Sequence, residues 1–308
     1  MSTCAKVSRD LEEPLAGTAA TARTWLLVEQ PGPWGADALT SSHLDPALGR
    51  ALEQASDGTG VRIALIRRPG RHADCHTVAA RQVYAAHTTP GNVWLHNATT
   101  SDPGHLLDLD FAGLGRGLPD SFDTALGGRP HTGDPLALVC TNGKRDRCCA
   151  LLGRPLAAEL ATSGVAGAWE VTHLGGHRFS PTLLVLPFGY TYGRAEGHAV
   201  KEVLQGVREG RVVTDGCRGS SAWQRPAQAA ELALRTAVRE DAADVLRVVG
   251  TEGEAPRWEV TIAHTDGRRW LVTVTGATSS PPRAESCGSP LGSPARMDVT
   301  RVRELSRT

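Results

Sequence analysis

Four residues in two short segments have side chains that could bind a metal ion or an iron–sulfur cluster. Cys140 and Cys149 are separated by eight residues, and His173 and His177 are separated by three. Thiolate and imidazole suit zinc or an iron–sulfur cluster, whereas calcium and magnesium prefer oxygen ligands. Because His-x3-His is also a common zinc spacing, the residues alone leave both kinds of site open.

Each pair of candidate ligands follows an apolar segment that is typical of a buried strand. These segments are residues 136–139 before the cysteines and residues 167–172 before the histidines. Between them, residues 149–160 have leucines at helical spacing, although Pro155 favours a kink or a later start of this helix. Because loops at the ends of neighbouring strands can converge, we expect the four side chains to lie close together.

The residues around these ligands resemble the sucrase/ferredoxin-like family. The most specific matches are residues 139–149 and 173–179. Asn142 is a departure, because many members are expected to have His there. It is not an expected ligand, so we interpret it as a change outside the ligand set. Softer matches extend the resemblance over most of the chain, at residues 17–19, 25–29, 187–193, 217–219 and 225–230.

The resemblance implies a thioredoxin-like ferredoxin domain that binds a 2Fe-2S cluster. Cys140 and Cys149 would bind one iron, and His173 and His177 would bind the other. Two neutral imidazoles in place of two thiolates raise the reduction potential, as in Rieske centres. The implied function is one-electron, proton-coupled transfer between a reductase and another acceptor. We expect an electron carrier rather than a stand-alone enzyme, and a separate reductase as partner because no flavin or nicotinamide fingerprint is present.

Two other functions remain open from the residues. The first is a zinc-stabilised structural or binding module without redox chemistry. The second, which we rank last, is a dithiol oxidoreductase that uses Cys148 and Cys149, because a vicinal pair differs from the Cys-x-x-Cys motif. Nothing in the sequence supports sugar hydrolysis, since no pair of carboxylates is identifiable as acid and nucleophile.

The chain has seven cysteines, an odd number with scattered spacing. In a reducing cytosol this pattern favours metal ligation with free thiols over a disulfide framework. Cys148 adjoins Cys149, and we interpret it as a spare thiol or an alternative ligand. The remaining cysteines have no partner at ligand spacing and are interpreted as small buried residues or inert thiols: Cys4, Cys75, Cys217 and Cys287.

Composition narrows the class of protein further. The 308 residues carry a formal net charge of zero, so the chain has no basic footprint for nucleic acid. No apolar run of about 18 residues predicts a transmembrane helix, and the N-terminus lacks the apolar core of a secretion signal. We therefore expect a cytoplasmic protein that binds neither nucleic acid nor membrane.

We expect an α/β fold with three units. Residues 1–125 would form an α/β unit, interpreted as a degenerate thioredoxin-like copy without ligands. Residues 130–215 would form the thioredoxin-like ferredoxin domain, and residues 216–308 a small α+β extension. In this extension, residues 226–238 predict a helix, and residues 258–274 predict a hairpin that turns at Asp-Gly.

The element order of the first unit partly repeats in the second. The first unit is predicted as β-α-β-β-β and the second as β-α-β-β-β-α. Residues 1–20 are expected to be a polar lead-in, and residues 277–295 to be irregular. The predicted elements of the first unit are strands over 24–29, 61–66, 81–86 and 92–96 and a helix over 45–54 that Asp45 caps.

Overall fold

The structure is a computed structural model, and it describes residues 3–70 and 79–306. The α-helices in these parts of the chain are α1 (Cys4–Asp10), α2 (Pro46–Ser56), α3 (Phe111–Gly115), α4 (Asp120–Leu126), α5 (Arg154–Thr162), α6 (Gly197–Arg208) and α7 (Arg225–Val238). The strands are β1 (Thr24–Glu29), β2 (Val61–Arg67), β3 (Arg81–His87), β4 (Trp94–Thr100), β5 (Arg129–Pro130), β6 (Leu136–Cys140), β7 (Ala168–Val171), β8 (Leu183–Leu186), β9 (Tyr190–Tyr192), β10 (Cys217–Ser220), β11 (Leu246–Glu254), β12 (Arg257–His264), β13 (Arg269–Thr278), β14 (Arg283–Ala284), β15 (Leu291–Gly292) and β16 (Ala295–Leu305).

Among the described residues, ten strands form one mixed sheet that runs through the first two predicted units and ends at β10, which lies in the third. Its order is β10-β9-β8-β6-β7-β2-β1-β3-β4-β5. Helices α2 and α5 pack against it. The prediction of an α/β fold is confirmed by this sheet and its helices. Among the described residues, no helix combines the length and the apolar character needed to cross a membrane.

The two halves of this sheet have the same strand order and the same strand directions. In the first half, β1 pairs with β2 in parallel and with β3 antiparallel, and β3 pairs with β4 antiparallel. In the second half, β6 pairs in the same way with β7 and β8, and β8 with β9. A helix, α2 or α5, supplies the crossover that each parallel pair requires. The repeat of element order seen in the sequence therefore extends to strand pairing.

The two halves meet where β2 pairs antiparallel with β7. Arg67 lies directly opposite Glu170 in this register, and both side chains are buried. Arg67 Nη2 lies 2.7 Å from Glu170 Oε2, and the Thr141 hydroxyl donates to the same oxygen at 2.7 Å. Because a buried charge requires a partner, this ion pair favours one alignment of the halves. The division into separate domains stays a prediction.

Side chains of β6 alternate between two apolar layers. Leu138 and Cys140 lie in the layer that also contains Trp25 and Trp169, whereas Val139 belongs to the layer on the opposite face. This alternation follows from the pleat of a strand. Both layers are buried, as the continuous apolar sequence of the strand predicts. The first candidate ligand therefore points into the core at the end of its strand.

The C-terminal residues form a second, four-stranded antiparallel sheet in the order β11-β12-β13-β16. Helix α7 packs on it through Ala230 and Leu234. The hairpin predicted over 258–274 is confirmed as β12 and β13, with Gly267 at φ 91° in the turn. Strands β11 and β16 were not predicted, because glycines and exposed charged residues interrupt their apolar alternation.

Three local predictions differ from the structure. The expected polar lead-in contains α1, which at seven residues is too short to show apolar periodicity. The helix expected from residue 149 begins as a single π-helical turn, Cys149–Gly153, and α5 starts only at Arg154. Pro155 then lies in the first turn, where its missing N–H is not needed. The expected irregular segment 277–295 contains the short pair β14 and β15.

Candidate metal centre

The four predicted ligands lie together at the carboxyl ends of β6 and β7. Cys140 ends β6, and its parallel pairing with Val171 places the loop after β7 beside it. Cys149 begins the π turn, which packs closely on β6. Gly153 permits this close packing, because a Cβ at this position would collide with the Cys140 carbonyl oxygen. Both cysteines are buried, and both histidines are half-buried.

The side chains of these residues form a ring of contacts. Cys149 Sγ lies 3.7 Å from His177 Nδ1, and the rings of His173 and His177 stack with their centroids 4.3 Å apart. The Cys140 thiol lies beside Cys149 and His173. Nδ1 of His173 is buried and has no hydrogen-bond partner among the described residues. Because buried polar atoms are normally paired, this nitrogen is suited to bind a metal.

The protonation states of these groups also suit metal binding. A hydrogen bond from Cys149 holds the pKa of Cys140 well below its usual value, against the opposing effect of burial. The same hydrogen bond, together with burial, raises the pKa of Cys149. Burial, followed by the neighbouring His173, lowers the pKa of His177 to about 4. The lowered pKa of Cys140 favours its thiolate, and the lowered pKa of His177 favours a neutral imidazole; both are forms that bind metals.

Asp146 is a further member of this site that sequence reasoning missed. Ligand atoms of Asp146, Cys149 and His177 lie within 4.8 Å of one another. This grouping differs from the expected set of two cysteines and two histidines, because it omits Cys140 and His173. The position of Asp146 between the two cysteines was the only available signal, and an aspartate in an arginine-rich loop is more often a solvated surface residue.

The Asp146 carboxylate is ionised by its surroundings. Burial opposes its ionisation, but the N–H of Cys287, the hydroxyl of Ser286 and the N–H of Cys148 hold its pKa below the usual value. Two of these donors belong to residues about 140 positions away in the sequence. The carboxylate is therefore fixed by the C-terminal part of the chain.

Two arginines hold the loop that carries the histidines. Arg62 Nη2 donates to the His173 carbonyl at 2.8 Å, and Arg218 Nη1 donates to the Gly175 carbonyl at 3.0 Å. Gly176 has φ 69°, and a Cβ there would meet the Arg218 guanidinium. Glycine thus allows both the tight turn and the close approach of the arginine.

These two arginines place positive charge near Cys140. Among the described residues, neither Arg62 nor Arg218 forms an ion pair with a carboxylate. Burial lowers the pKa of Arg218 to about 9, and it also lowers the pKa of Arg62. The Cys140 thiolate opposes both shifts. Because both guanidiniums stay charged at neutral pH, they favour negative charge at the site.

Asn142 stabilises the loop between the two cysteines and does not face the ligands. Its Nδ2 donates to the Gly35 carbonyl at 3.0 Å, and its Oδ1 accepts from the N–H groups of Lys144 and Arg145. These contacts form an Asx-type turn. They support the interpretation of this departure from the family pattern as a change outside the ligand set.

The structure places three of the remaining cysteines together. Cys4 and Cys287 have no partner at ligand spacing in the sequence, but their sulfurs lie 3.5 Å apart in the structure. Cys148 is fully buried, and its sulfur faces these two residues. Cys217 is buried in β10, and burial raises the pKa of its thiol to about 12, as an inert thiol requires. Cys75 lies outside the described residues.

A model of a protein family matches about two thirds of the chain. No curated protein and no solved structure matches it. The family model described as sucrase/ferredoxin-like matches residues 15–219. This range includes the large sheet from β1 to most of β10 and both loops of the candidate metal centre. The chain therefore belongs to the sucrase/ferredoxin-like family.

Proposed function

We propose that Cys140, Cys149, His173 and His177 bind a 2Fe-2S cluster, and that the protein transfers single electrons between a reductase and a further acceptor. The observation that carries this proposal is the convergence of two buried thiols with two imidazoles. One imidazole has a buried nitrogen that forms no hydrogen bond within the described part of the chain. When bound, such a cluster supplies one-electron chemistry. Membership in the sucrase/ferredoxin-like family supports a ferredoxin-like role.

Each side chain has a defined role in this proposal. Cys140 and Cys149 provide thiolates for one iron, and His173 and His177 provide neutral imidazoles for the other. The repeated strand order of the two half-sheets supports a thioredoxin-like origin for both halves, with ligands only in the second. The carboxyl ends of two central strands, β6 and β7, keep the ligands in place. This rigid support limits reorganisation during electron transfer.

The surface beside Cys149 is suited to a protein partner. Leu151 and Leu152 follow it in the π turn and are 52% and 38% exposed. Lys144 and Arg147, from the same loop region, are also exposed. Exposed apolar side chains next to positive charges favour docking of a redox protein with an acidic face.

A zinc-stabilised module without redox chemistry is the alternative function. The grouping of Asp146, Cys149 and His177 within 4.8 Å favours it, because a single ion needs its donors this close together. This alternative uses some of the same residues, so the metal content of the protein distinguishes the two functions.

Spectroscopy of anaerobically purified full-length protein tests the proposed function. We expect a brown protein with about two irons and about two acid-labile sulfides per chain. Reduction by dithionite should bleach its visible bands and produce an electron paramagnetic resonance signal from one unpaired spin. A colourless protein that lacks iron and carries zinc at Cys149 would replace this function by the zinc-stabilised module.

Replacement of Arg62 by Gln is expected to lower the reduction potential. The variant removes a positive charge that favours added negative charge near Cys140, and glutamine can still donate to the His173 carbonyl. The expected decrease is on the order of tens of millivolts, the size of a charge effect at intermediate dielectric. Protein film voltammetry measures it, with Arg301→Gln in β16 as an exposed control. An unchanged or higher potential would show that Arg62 does not act through its charge.

A further inference from the structure

A second group of thiols lies next to the candidate metal centre. The Sγ atoms of Cys4, Cys148 and Cys287 are separated by 3.5, 3.5 and 3.3 Å. The first two residues are buried and the third is half-buried. In a tetrahedral zinc site with bonds of about 2.3 Å, sulfurs lie about 3.8 Å apart. The three sulfur atoms therefore need to move apart only slightly to bind one ion.

A carboxylate stands at the position of a fourth donor. The oxygens of Asp146 lie 3.9 and 4.0 Å from Cys4 Sγ, and ligand atoms of all four residues lie within 4.8 Å of one another. Asp146 Oδ1 accepts from the Cys148 N–H, and Oδ2 accepts from the Cys287 N–H, both at 2.8 Å. Such hydrogen bonds orient ligating carboxylates in metal sites.

The sulfurs themselves receive hydrogen bonds from the backbone. The Ala5 N–H donates to the Cys148 sulfur, and the Cys4 N–H donates to the Cys287 sulfur. Hydrogen bonds to sulfur stabilise its charged form, which is the form that binds metals. The backbone therefore supports two of the three thiols, Cys148 and Cys287.

The separations of the three sulfur atoms favour the binding of one metal ion over a disulfide or a multinuclear cluster. The three sulfur separations agree within 0.2 Å, so no pair is favoured for a disulfide, whereas one ion would use all three. The sulfurs are also too close together to bind different irons of a multinuclear cluster, because each iron takes its own terminal ligand. The role that remains for these thiols is the binding of a single tetrahedral ion. Sites rich in thiolates favour zinc.

We propose that Cys4, Cys148, Cys287 and Asp146 form a structural zinc site. It would join α1, the loop that carries Cys149, and the C-terminal segment, which are far apart in the sequence. Cys4 and Cys287 lie outside the residues that the family model matches.

A buried carboxylate connects the N-terminal and C-terminal segments to the loop that carries the histidines. Glu13 accepts from Arg178 Nε at 2.7 Å and from Arg283 Nε at 3.0 Å, and all three side chains are buried. Arg178 follows the ligand His177, and Arg283 lies in β14 of the C-terminal segment. Glu13 and Arg283 therefore hold the loop that follows β7 from one side, and a zinc ion would fix this arrangement.

Metal analysis of the full-length protein, produced with both iron and zinc in the medium, tests the proposal. We expect one zinc per chain, and zinc-edge X-ray absorption that fits three sulfurs and one oxygen. Cys287→Ser and Cys4→Ser should each lower the zinc content at least tenfold and leave the iron content unchanged. Cys217→Ser is the matched control, because it removes a buried thiol outside both groups. Cys140→Ala should lower iron and leave zinc unchanged.

Three results would overturn this proposal, whether or not the cluster is present. The first is a wild-type protein without zinc above background. The second is zinc that is retained in Cys287→Ser and lost in Cys140→Ala, which would place the ion at the first centre. The third is a disulfide between two of these thiols, seen in the intact mass of the unreduced protein. Metal-to-chain ratios are measured on the soluble fraction, so that a poorly folding variant does not obscure the result.

Discussion

Cys149→Ala is expected to remove the iron from the protein, and Cys148→Ala is expected to leave it in place. These adjacent residues are both buried in the same loop, so the two substitutions are matched in size and position. The Cys149 sulfur lies 3.7 Å from His177 Nδ1, whereas the Cys148 sulfur faces Cys4 and Cys287. Their neighbours therefore predict opposite effects on iron.

Loss of Cys149 should lower the iron content at least tenfold, because even residues that only support metal ligands can alter affinity by about 10–100-fold. Cys140→Ala should have the same effect. Iron and sulfide assays, together with the visible spectrum, measure it. In Cys148→Ala the zinc content should fall while the iron remains. The ligand assignment would be wrong if Cys148→Ala bleached the protein and Cys149→Ala did not.

The second large effect is a dependence of the reduction potential on pH. Reduction adds negative charge beside the imidazoles of His173 and His177, and this charge favours keeping the proton on the outer nitrogen of each ring. The pKa of a ligating histidine should therefore be higher in the reduced protein than in the oxidised protein. Between these two values, one proton enters with each electron.

The potential should then fall by about 59 mV per pH unit between the two pKa values, the one-electron equivalent of a tenfold change in equilibrium constant. It should be flat below the oxidised-state value and above the reduced-state value. Both histidines are half-buried, so proton exchange with water is available. Film voltammetry from roughly pH 6 to 10 measures the slope across and above the ordinary histidine pKa.

His177→Cys provides the control for this experiment. A thiolate ligand has no second proton to lose and adds negative charge, so the variant should have a lower potential and a weaker pH dependence. A wild-type potential that is flat over the whole range would show that the histidines are not ligands or are sealed from solvent, and the proton-coupled function would then be abandoned.

The sequence predicts those features whose signal is local. The spacing of Cys140, Cys149, His173 and His177 is visible within 38 residues, and the strands before each pair are short apolar runs. The N-cap of α2 was also predicted, because Asp45 and Pro46 act on their own helix, where the Asp45 carboxylate accepts from Ala47. Such features depend on neighbours in the chain.

Tertiary structure alone decided the surroundings of the site. Arg62 and Arg218 donate to the histidine loop from positions far away in the sequence, and no periodicity or spacing relates them to it. The continuous sheet is another example, because the pairing of β2 with β7 depends on edges that only the folded halves present. Contacts of this kind result from topology and leave no local pattern.

The cysteines show this division most directly. The sequence by itself indicated that Cys140 and Cys149 lie close to two histidines, because loops at the ends of neighbouring strands converge. It gave no reason to connect Cys4, Cys148 and Cys287, whose sulfurs meet across 144, 283 and 139 positions. Only the packing of α1 and of the segment around Cys287 beside the loop of Cys148 brings them together. A contact between distant segments depends on how the sheets and loops pack and not on the spacing of its residues.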